Sequence, residues 1–267
     1  MIDDALRWPV EATIVFCCLW ARCTVMLGIA HIFGLVGNSR GLRVIVATIL
    51  AAWLWPMAFH APDLALEDAT QFRIAMLIAK EGAVGLFLGI LLSIPVWVAE
   101  SVGAMFDNQR GAMTGQTFNP MLTSPSTMAL LLQYAAVLAL YGSGALAWVL
   151  EFMVFVARLW PPDALAPSVG LVDLEWLVMS FNAMAKGAVL YFAPLMAIML
   201  MIEVGMSLMS LYAPHLQAFQ MAMPVKSLVG LVVLLILGGT IGDFWAADSM
   251  AHFQGLLQRA KAVVDVR

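Results

Sequence analysis

Charged residues are scarce in this chain. They make up 11% of its 267 residues, and hydrophobic residues account for 63%. About a quarter of the residues in an ordinary soluble domain are charged, so this composition excludes that class and indicates a membrane protein. The formal net charge of -4 comes without any cluster of Lys or Arg. Nucleic acid and anionic lipid headgroups are therefore poor candidate partners.

Cysteine is rare as well, and the motifs of common catalytic and metal sites are absent from the sequence. Cys17, Cys18 and Cys23 all fall in the first apolar run, where we expect them to be buried apolar residues. The histidines have no metal-ligand spacing, and there is neither a phosphate-binding glycine loop with a following lysine nor a GxSxG elbow. We expect no enzyme activity, no metal and no cofactor.

Long apolar runs dominate what is present. They cover residues 10–33, 42–59, 72–98, 127–159, 176–211 and 225–245. Runs of this length predict membrane-spanning helices, so the expected fold class is all-α, a multi-helix integral membrane protein with about six long apolar helices. As continuous helices, 127–159 and 176–211 would reach about 50 Å and 54 Å, against a hydrocarbon core of about 30 Å. Either these helices break or much of their surface faces protein or water.

Polar and small residues inside the runs favour packing against protein. The polar ones are Arg22, Lys80, Glu81, Glu151, Asn182, Lys186 and Glu203. Each would cost a few kcal/mol if it faced lipid at mid-depth. Gly85 with Gly89, and Gly238 with Gly242, repeat at a spacing of four residues. Such repeats permit close approach between helix backbones.

The stretch 99–126 is the most polar segment of its length and lies between two apolar runs. Glu100, Gly103, Asp107 and Arg110 are spaced three, four and three residues apart. This spacing places them on one face of a helix and puts Asp107 within reach of Arg110. We therefore expect a helix with one polar stripe at the start of this stretch.

Residues that break regular structure follow that helix. They are Gly111, Gly115 and Asn119-Pro120. Ser124-Pro125 then predicts the start of the next helix, with proline at the first helical position. Irregular backbone is not tolerated in contact with hydrocarbon. This segment must lie outside the membrane as an ordinary surface loop, be buried in protein or line an aqueous path.

These residues resemble the signature of a known family. The first signature reads Glu100-x-x-Gly103-x-x-x-Asp107-Asn108-Gln109-Arg110-Gly111, followed by Asn119-Pro120 and Ser124-Pro125. A second signature precedes the last long run and consists of Pro214, Gln217, Phe219, Pro224, Lys226 and Gly230. Both are similar to the SctT family of type III secretion export apparatus proteins, also named YscT, SpaR or HrcT, with FliR as the flagellar counterpart. The resemblance covers nearly the whole chain, and the DNQRG form favours an injectisome.

The resemblance implies a non-enzymatic subunit of an export gate in the bacterial inner membrane, largely at the periplasmic level. With SctR-type and SctS-type subunits (FliP-like and FliQ-like), it would form the channel through which unfolded secreted substrates enter. An SctU-type switch protein, an SctV-type export gate protein and inner rod proteins would be neighbours. The implied organisation is an N-terminal helical part over 1–170 and a C-terminal helical hairpin over 171–245. The hydrophobic pattern of 246–267 adds an amphipathic tail, which we expect to form a short separate helix.

The resemblance also implies that a plug segment, from about 106 to 123, closes the channel and moves to let substrate pass. Glycine and proline suit a gate that needs alternative backbone conformations. The residues assigned to the plug are Phe106, Asp107, Asn108, Gln109, Arg110, Gly111, Met113, Gly115, Phe118, Asn119, Pro120 and Met121. Those expected to anchor its base are Glu100, Gly103, Asp107 and Arg110, and those expected to help seal it are Phe118, Met113 and Met121.

A secondary carrier is the alternative from another class, with Lys186, Glu203 and Glu151 in its path. Lys186 and Glu203 are 17 residues apart. On one continuous helix they would lie about 25 Å from each other, so they could not pair directly. A carrier of the inverted-repeat type would also show an internal repeat, and we find none in the sequence. Lys226 has a simpler interpretation too, a helix-end lysine whose charged group reaches out from an apolar surface.

Overall fold

The chain is almost entirely helical in the computed structural model, which describes residues 2–34, 39–58, 71–111, 126–162, 174–212 and 218–265. The helices are α1 (Ile2–Ile29), α2 (Arg40–Ala58), α3 (Gln71–Gln109), α4 (Thr127–Gly142), α5 (Ala145–Leu159), α6 (Leu174–Tyr212) and α7 (Ala218–Asp265). A 3-10 turn, His31–Phe33, follows α1, and these described ranges contain no strand. The predicted all-α fold class is confirmed.

Among the described residues, five helices are long and apolar enough to cross a membrane, namely α1, α2, α3, α6 and α7, and the bent pair of α4 and α5 makes up to six. The prediction of about six long apolar helices is therefore confirmed. Both α3 and α6 contain 39 residues, and α7 contains 48. Their lengths of about 58 Å and 72 Å exceed a hydrocarbon core of about 30 Å, so not all of each helix lies in hydrocarbon.

The run 127–159 is the one that breaks. The chain bends by 79° between α4 and α5. Gly144 adopts a left-handed conformation with φ of 78°, and its N–H donates to the Tyr141 carbonyl at 3.3 Å. Glycine takes this conformation without the steric cost that a Cβ would add. Breaking therefore accounts for this overlong run, whereas 176–211 stays continuous within α6.

The structure divides into two compact units. Unit 1 comprises Met1–Ile94, Leu140–Leu177 and Met250–Arg267, and unit 2 comprises Pro95–Ala139 and Val178–Ser249. The predicted parts 1–170, 171–245 and 246–267 follow a different criterion, the family resemblance, and stay predictions. The tail is amphipathic, with buried Phe253, Leu256 and Leu257. However, it forms the last part of α7 and not a separate short helix, because no residue near Trp245 interrupts the helix.

A buried ion-pair cluster organises unit 1. Arg22 on α1 is 1% exposed and Glu81 on α3 is fully buried. The Arg22 guanidinium donates to the Glu81 carboxylate and, through Nη2, to the Trp160 carbonyl at 2.7 Å. Lys80 Nζ lies 2.6 Å from the same carboxylate and donates to the Pro161 carbonyl at 3.1 Å. The cluster thus joins α1 and α3 to the chain just after α5.

Close backbone contact between α1 and α3 accompanies this cluster. A Cβ added at Gly85 would collide with the Arg22 carbonyl, and one at Gly89 would lie 3.0 Å from Ile29 Cβ. The small-residue repeat at 85 and 89 therefore packs as predicted. Cys18 and Cys23 on α1 are buried as expected, but the expectation is wrong for Cys17, which is exposed because it lies on another face of that helix.

Two side chains of α7 compensate for a proline within α3. Pro95 has no N–H, so the Leu91 carbonyl lacks its helical donor. His252 Nε2 lies 3.1 Å from that carbonyl and can donate to it. Trp245 Nε1 donates to the Pro95 carbonyl at 3.0 Å. Both contacts stabilise α3 where its own hydrogen-bond ladder is incomplete.

Candidate functional site

Asp107 holds together the two helix ends that flank residues 112–125. Its side chain lies in the last turn of α3 and is 1% exposed. Oδ1 accepts from Arg110 Nε at 2.8 Å, which confirms the predicted Asp107–Arg110 contact. Oδ2 accepts from the Ser126 hydroxyl and from the Met128 N–H at 2.9 Å, at the start of α4. One carboxylate therefore ties the end of α3 to the beginning of α4.

The start of α4 is built to receive this carboxylate. Ser126 Oγ accepts from the Ala129 N–H at 3.1 Å, which is the usual N-cap contact. The Met128 N–H, another group without a helical acceptor, donates to Asp107. The helix begins at Thr127 and not at the predicted Ser124-Pro125, because Ser126 supplies the cap. A negative charge at this position also interacts favourably with the helix dipole.

Gly103 allows α3 and α4 to approach closely one turn before Asp107. A Cβ added at Gly103 would lie 2.6 Å from the backbone N and Cα of Ala129. Any side chain at 103 would push the two helices apart and weaken the grip of Asp107. Glu100 is half-buried and, within the described part of the chain, forms no ion pair or side-chain hydrogen bond. No contact among these residues therefore supports its expected anchoring role.

One face of α7 follows the end of α3 in antiparallel order. The contacting pairs are Gly111 with Met223, Arg110 with Ser227, and Phe106 with Gly230. Arg110 Nη1 donates to Ser227 Oγ at 3.2 Å. The two sequence signatures, which are separated by about a hundred residues along the chain, therefore meet in unit 2.

Glycine is used at both ends of this contact. Gly111 has φ of 77°, and a Cβ there would lie 3.2 Å from Met223 Sδ. A Cβ at Gly230 would lie 2.9 Å from the ring of Phe106, which is itself 1% exposed. The Arg110 guanidinium lies 5.6 Å from the centre of the same ring, a cation–π distance. The end of α3 is thus enclosed by α4 on one side and by α7 on another.

A second ion pair lies beside this contact. Lys226 Nζ on α7 is 2.9 Å from Glu203 Oε2 on α6, and the two side chains are 9% and 48% exposed. Both residues line a cavity of about 270 Å³ that begins at the last residues of α3. Its other polar lining residues are Asn108, Gln109, Arg110, Ser207 and Ser210. The interpretation of Lys226 as a solvent-reaching helix-end lysine is wrong, because Lys226 lies inside α7, is buried and pairs with Glu203 of α6.

The remaining predicted site residues fall into three groups. Phe106, Asp107, Asn108 and Gln109 form the last turn of α3, and Pro224 is exposed within α7. The placement of Met113, Gly115, Phe118, Asn119, Pro120, Met121, Pro214 and Gln217, and of the Phe219 side chain, lies outside the described residues. Three contributors were missed, namely Ser126, Met223 and Ser227. Only Ser126 had a usable signal, as a possible cap before an apolar helix.

The residues of the carrier alternative have separate partners within the two units. Glu151 pairs with Lys261 at 2.9 Å in unit 1, with both side chains partly exposed. Glu203 pairs with Lys226 in unit 2. Lys186 is exposed and has no ion pair among the residues described, and it shares the unbroken helix α6 with Glu203. In the same ranges no group of three His, Cys, Asp or Glu side chains could hold a metal ion.

Comparison with known proteins decides the family. The model of bacterial export proteins, family 1, matches residues 13–251. The chain belongs to this family. The resemblance to SctT and FliR, and with it the assignment to protein transport in a membrane, is confirmed.

Relatives of this family 1 export protein include components of several secretion systems. The Yop proteins translocation protein T of Yersinia pestis is 30% identical over 237 residues, which cover 88% of this chain and 89% of that protein. The surface presentation of antigens protein SpaR of Salmonella typhimurium is 31% identical over 74% of this chain and 73% of its own. The flagellar biosynthetic protein FliR of Bacillus subtilis is 22% identical over 73% of this chain and 74% of its own.

Proposed function

We propose that this family 1 export protein is a gate subunit of a type III secretion export apparatus. In this role residues 106–123 act as a plug that blocks the channel until unfolded substrate passes. The single observation that carries the proposal is the Asp107 contact with Arg110, Ser126 and Met128. It joins the helix ends on either side of 112–125, and in this proposal the plug moves while that base stays in place.

The Asp107 contacts and the adjacent Gly111 suit a gate that must stay closed at rest and open when substrate passes. A buried carboxylate that accepts several hydrogen bonds is strongly held, because charge-assisted hydrogen bonds are about twice as strong as neutral ones. Gly111, at positive φ directly after Arg110, lets the chain turn away from α3 without the cost of a Cβ. A firm anchor followed by a permissive backbone position is the arrangement expected at a hinge.

The same proposal assigns partners and location. The subunit would assemble with SctR-type and SctS-type gate subunits in the bacterial inner membrane, largely at the periplasmic level. SctU-type, SctV-type and inner rod proteins would lie nearby. Helices of 39 and 48 residues, which are too long for hydrocarbon alone, support a position partly outside it. The relatives at 30% and 31% identity are named for translocation of Yop proteins and for surface presentation of antigens, which supports an injectisome over a flagellum.

The test is ion conductance of the assembled gate in planar bilayers and small-solute leak in cells. Deletion of residues 111–119 should leave the complex assembled but leaky, because the blocking segment is gone. Asp107→Asn should raise the leak to a smaller extent, since the segment remains but one end is loosened. Asp243→Asn is the matched control, because Asp243 is exposed and forms no ion pair among the described residues.

Two outcomes separate this function from the alternatives. Unchanged conductance in an assembled deletion variant would contradict the plug and leave 112–125 as an ordinary surface loop. Coupled uptake of a small solute that is abolished by Lys186→Met would favour the carrier.

A further inference from the structure

We propose that Lys226 is a positioning residue, and that its ion pair with Glu203 couples the α6–α7 pair to the base of the gate. This inference rests on the proposed function, in which the segment after Gly111 closes the channel. It adds a point of control, because a change at α6 would be transmitted through α7 to the end of α3.

The position of Lys226 on α7 is the first step. Ser227 is the next residue and accepts from Arg110 at 3.2 Å, and Met223 lies one helical turn earlier against Gly111. Because α7 is continuous from Ala218 to Asp265, a displacement of Lys226 moves both of these contacts together. The pair therefore controls the side of the gate base that Asp107 does not reach.

The unequal burial of the two partners is the second step. Lys226 is 9% exposed and has Glu203 as the only ion-pair partner among the described residues, whereas Glu203 is 48% exposed. Removing Glu203 would leave the Lys226 ammonium as an uncompensated, largely buried charge, which is unfavourable. If Glu203 is drawn to another cation, the Lys226 ammonium must gain water. The cavity that Lys226 lines is where this water can enter.

The cavity beside the pair is the third step. It has a volume of about 270 Å³, and its lining includes the Ser207 and Ser210 side chains as well as Arg110. Water that enters there to hydrate Lys226 would also reach Arg110 and compete for its hydrogen bonds to Asp107 and Ser227. Loss of the ion pair would thus weaken the anchor of the plug segment without any change to the segment itself.

The experiment uses the assembled export complex carrying Lys226→Met, Glu203→Gln, or the exchange Lys226→Glu with Glu203→Lys. Glu203→Gln should raise the bilayer conductance of the closed gate roughly fivefold, the population change expected for loss of a partly exposed pair. Lys226→Met should raise it less, because it leaves no buried charge that must be hydrated. The exchange should return conductance toward the unaltered level, because the attraction is restored with the opposite polarity. Glu151→Gln, which breaks the partly exposed pair with Lys261 in unit 1, is the matched control and should leave conductance unchanged.

A second readout separates positioning from general stability. The variant Ala222→Cys places a thiol at a buried position that lines the same cavity. In a chain with Cys17, Cys18 and Cys23 replaced by Ala, this thiol should react faster with a water-soluble maleimide in Glu203→Gln than without it. If Lys226→Met fails to assemble, Glu203→Gln carries the test alone, because Glu203 is half exposed. Unchanged conductance and unchanged labelling in assembled Glu203→Gln would overturn the coupling. A different result would contradict the gate function itself, namely an assembled complex that does not leak after deletion of residues 111–119.

Discussion

The Arg22–Glu81 cluster of unit 1 and the Glu203–Lys226 pair of unit 2 are buried to very different degrees. In unit 1, Arg22 and Glu81 are 1% and 0% exposed. Arg22 also donates to the Trp160 carbonyl, and Lys80 donates to the Pro161 carbonyl. In unit 2, Glu203 is 48% exposed and its pair with Lys226 lies beside a polar cavity. An ion-pair cluster that water does not reach stays formed unless the packing around it opens. In a half-exposed ion pair, either partner can instead interact with water or with another charge. The difference indicates a fixed support at the Arg22–Glu81 cluster and an adjustable one at the Glu203–Lys226 pair.

Glycine reinforces this contrast. Gly85 and Gly89 in unit 1 bring α3 against the backbone and side chains of α1, so that both are immobilised by contact. Gly111 in unit 2 instead adopts positive φ, and the atoms nearest to a Cβ built there belong to the flexible side chain of Met223. The same residue type therefore serves close packing at positions 85 and 89 and a positive φ at position 111. Three substitutions test whether this comparison holds.

The largest effect is expected from Glu81→Ala in unit 1. It leaves the buried Arg22 guanidinium without the Glu81 counter-charge, and breaking a buried pair in this way costs about 3–5 kcal/mol. We expect a large fall in the thermal midpoint of the purified protein and little assembled complex in cells. Glu151→Ala is the control, since a partly exposed pair contributes about 0–1 kcal/mol. Equal effects of the two substitutions would remove the distinction between a sealed and an exposed pair.

An intermediate effect is expected from Gly103→Ala in unit 2. The added Cβ must displace the Ala129 backbone, and overpacking of this kind costs about 1–3 kcal/mol. Because α3 and α4 separate, Asp107 loses its contacts with Ser126 and Met128 and the gate should leak, as measured by bilayer conductance. Gly238→Ala on α7 is the control, because nothing lies within 4 Å of a Cβ built there. A stable, tightly closed Gly103→Ala complex would show that close approach of α3 and α4 is not required.

The smallest effect is expected from Ser126→Ala. It removes the N-cap of α4 and one donor to Asp107, and loss of a serine cap costs about 1 kcal/mol. We expect a slight decrease in the midpoint of denaturant unfolding with a small rise in conductance, because Arg110 and Met128 still hold Asp107. Thr127→Ala, at an exposed neighbouring position, should change neither quantity. A leak as large as that of Gly103→Ala would show that Ser126 provides the main contact between Asp107 and α4.

The helices and the local contacts could be predicted from the sequence because they depend on short-range spacing. Apolar runs predict α1 to α7 apart from the bend at Gly144, and a separation of three residues brings Asp107 to Arg110. The Gly85 and Gly89 repeat likewise predicts a close helix contact. Each of these depends on periodicity along one helix.

Contacts between distant parts of the chain could not be predicted in this way. Nothing in the spacing of Arg22 and Glu81, or of Glu203 and Lys226, shows that they pair, because each pair lies on two different helices. The family signatures named Lys226 and Gly230 but did not show that this part of α7 packs on the end of α3. The extension of α7 to Asp265 was missed because an amphipathic pattern after an apolar run looks like a new helix.

The Asp107 tie also sets a length scale. Fourteen residues, 112–125, join Gly111 to Ser126, and both of these flank the same carboxylate. A chain of this length spans at most about 50 Å when fully extended. If it leaves the base at Asp107 and returns to it, its farthest residue is about 25 Å from that base. While Asp107 holds, that radius bounds every obstruction this segment can make. Insertions or deletions within the segment would change the width of the channel that it can block, while the contacts of Asp107 at its base stay the same.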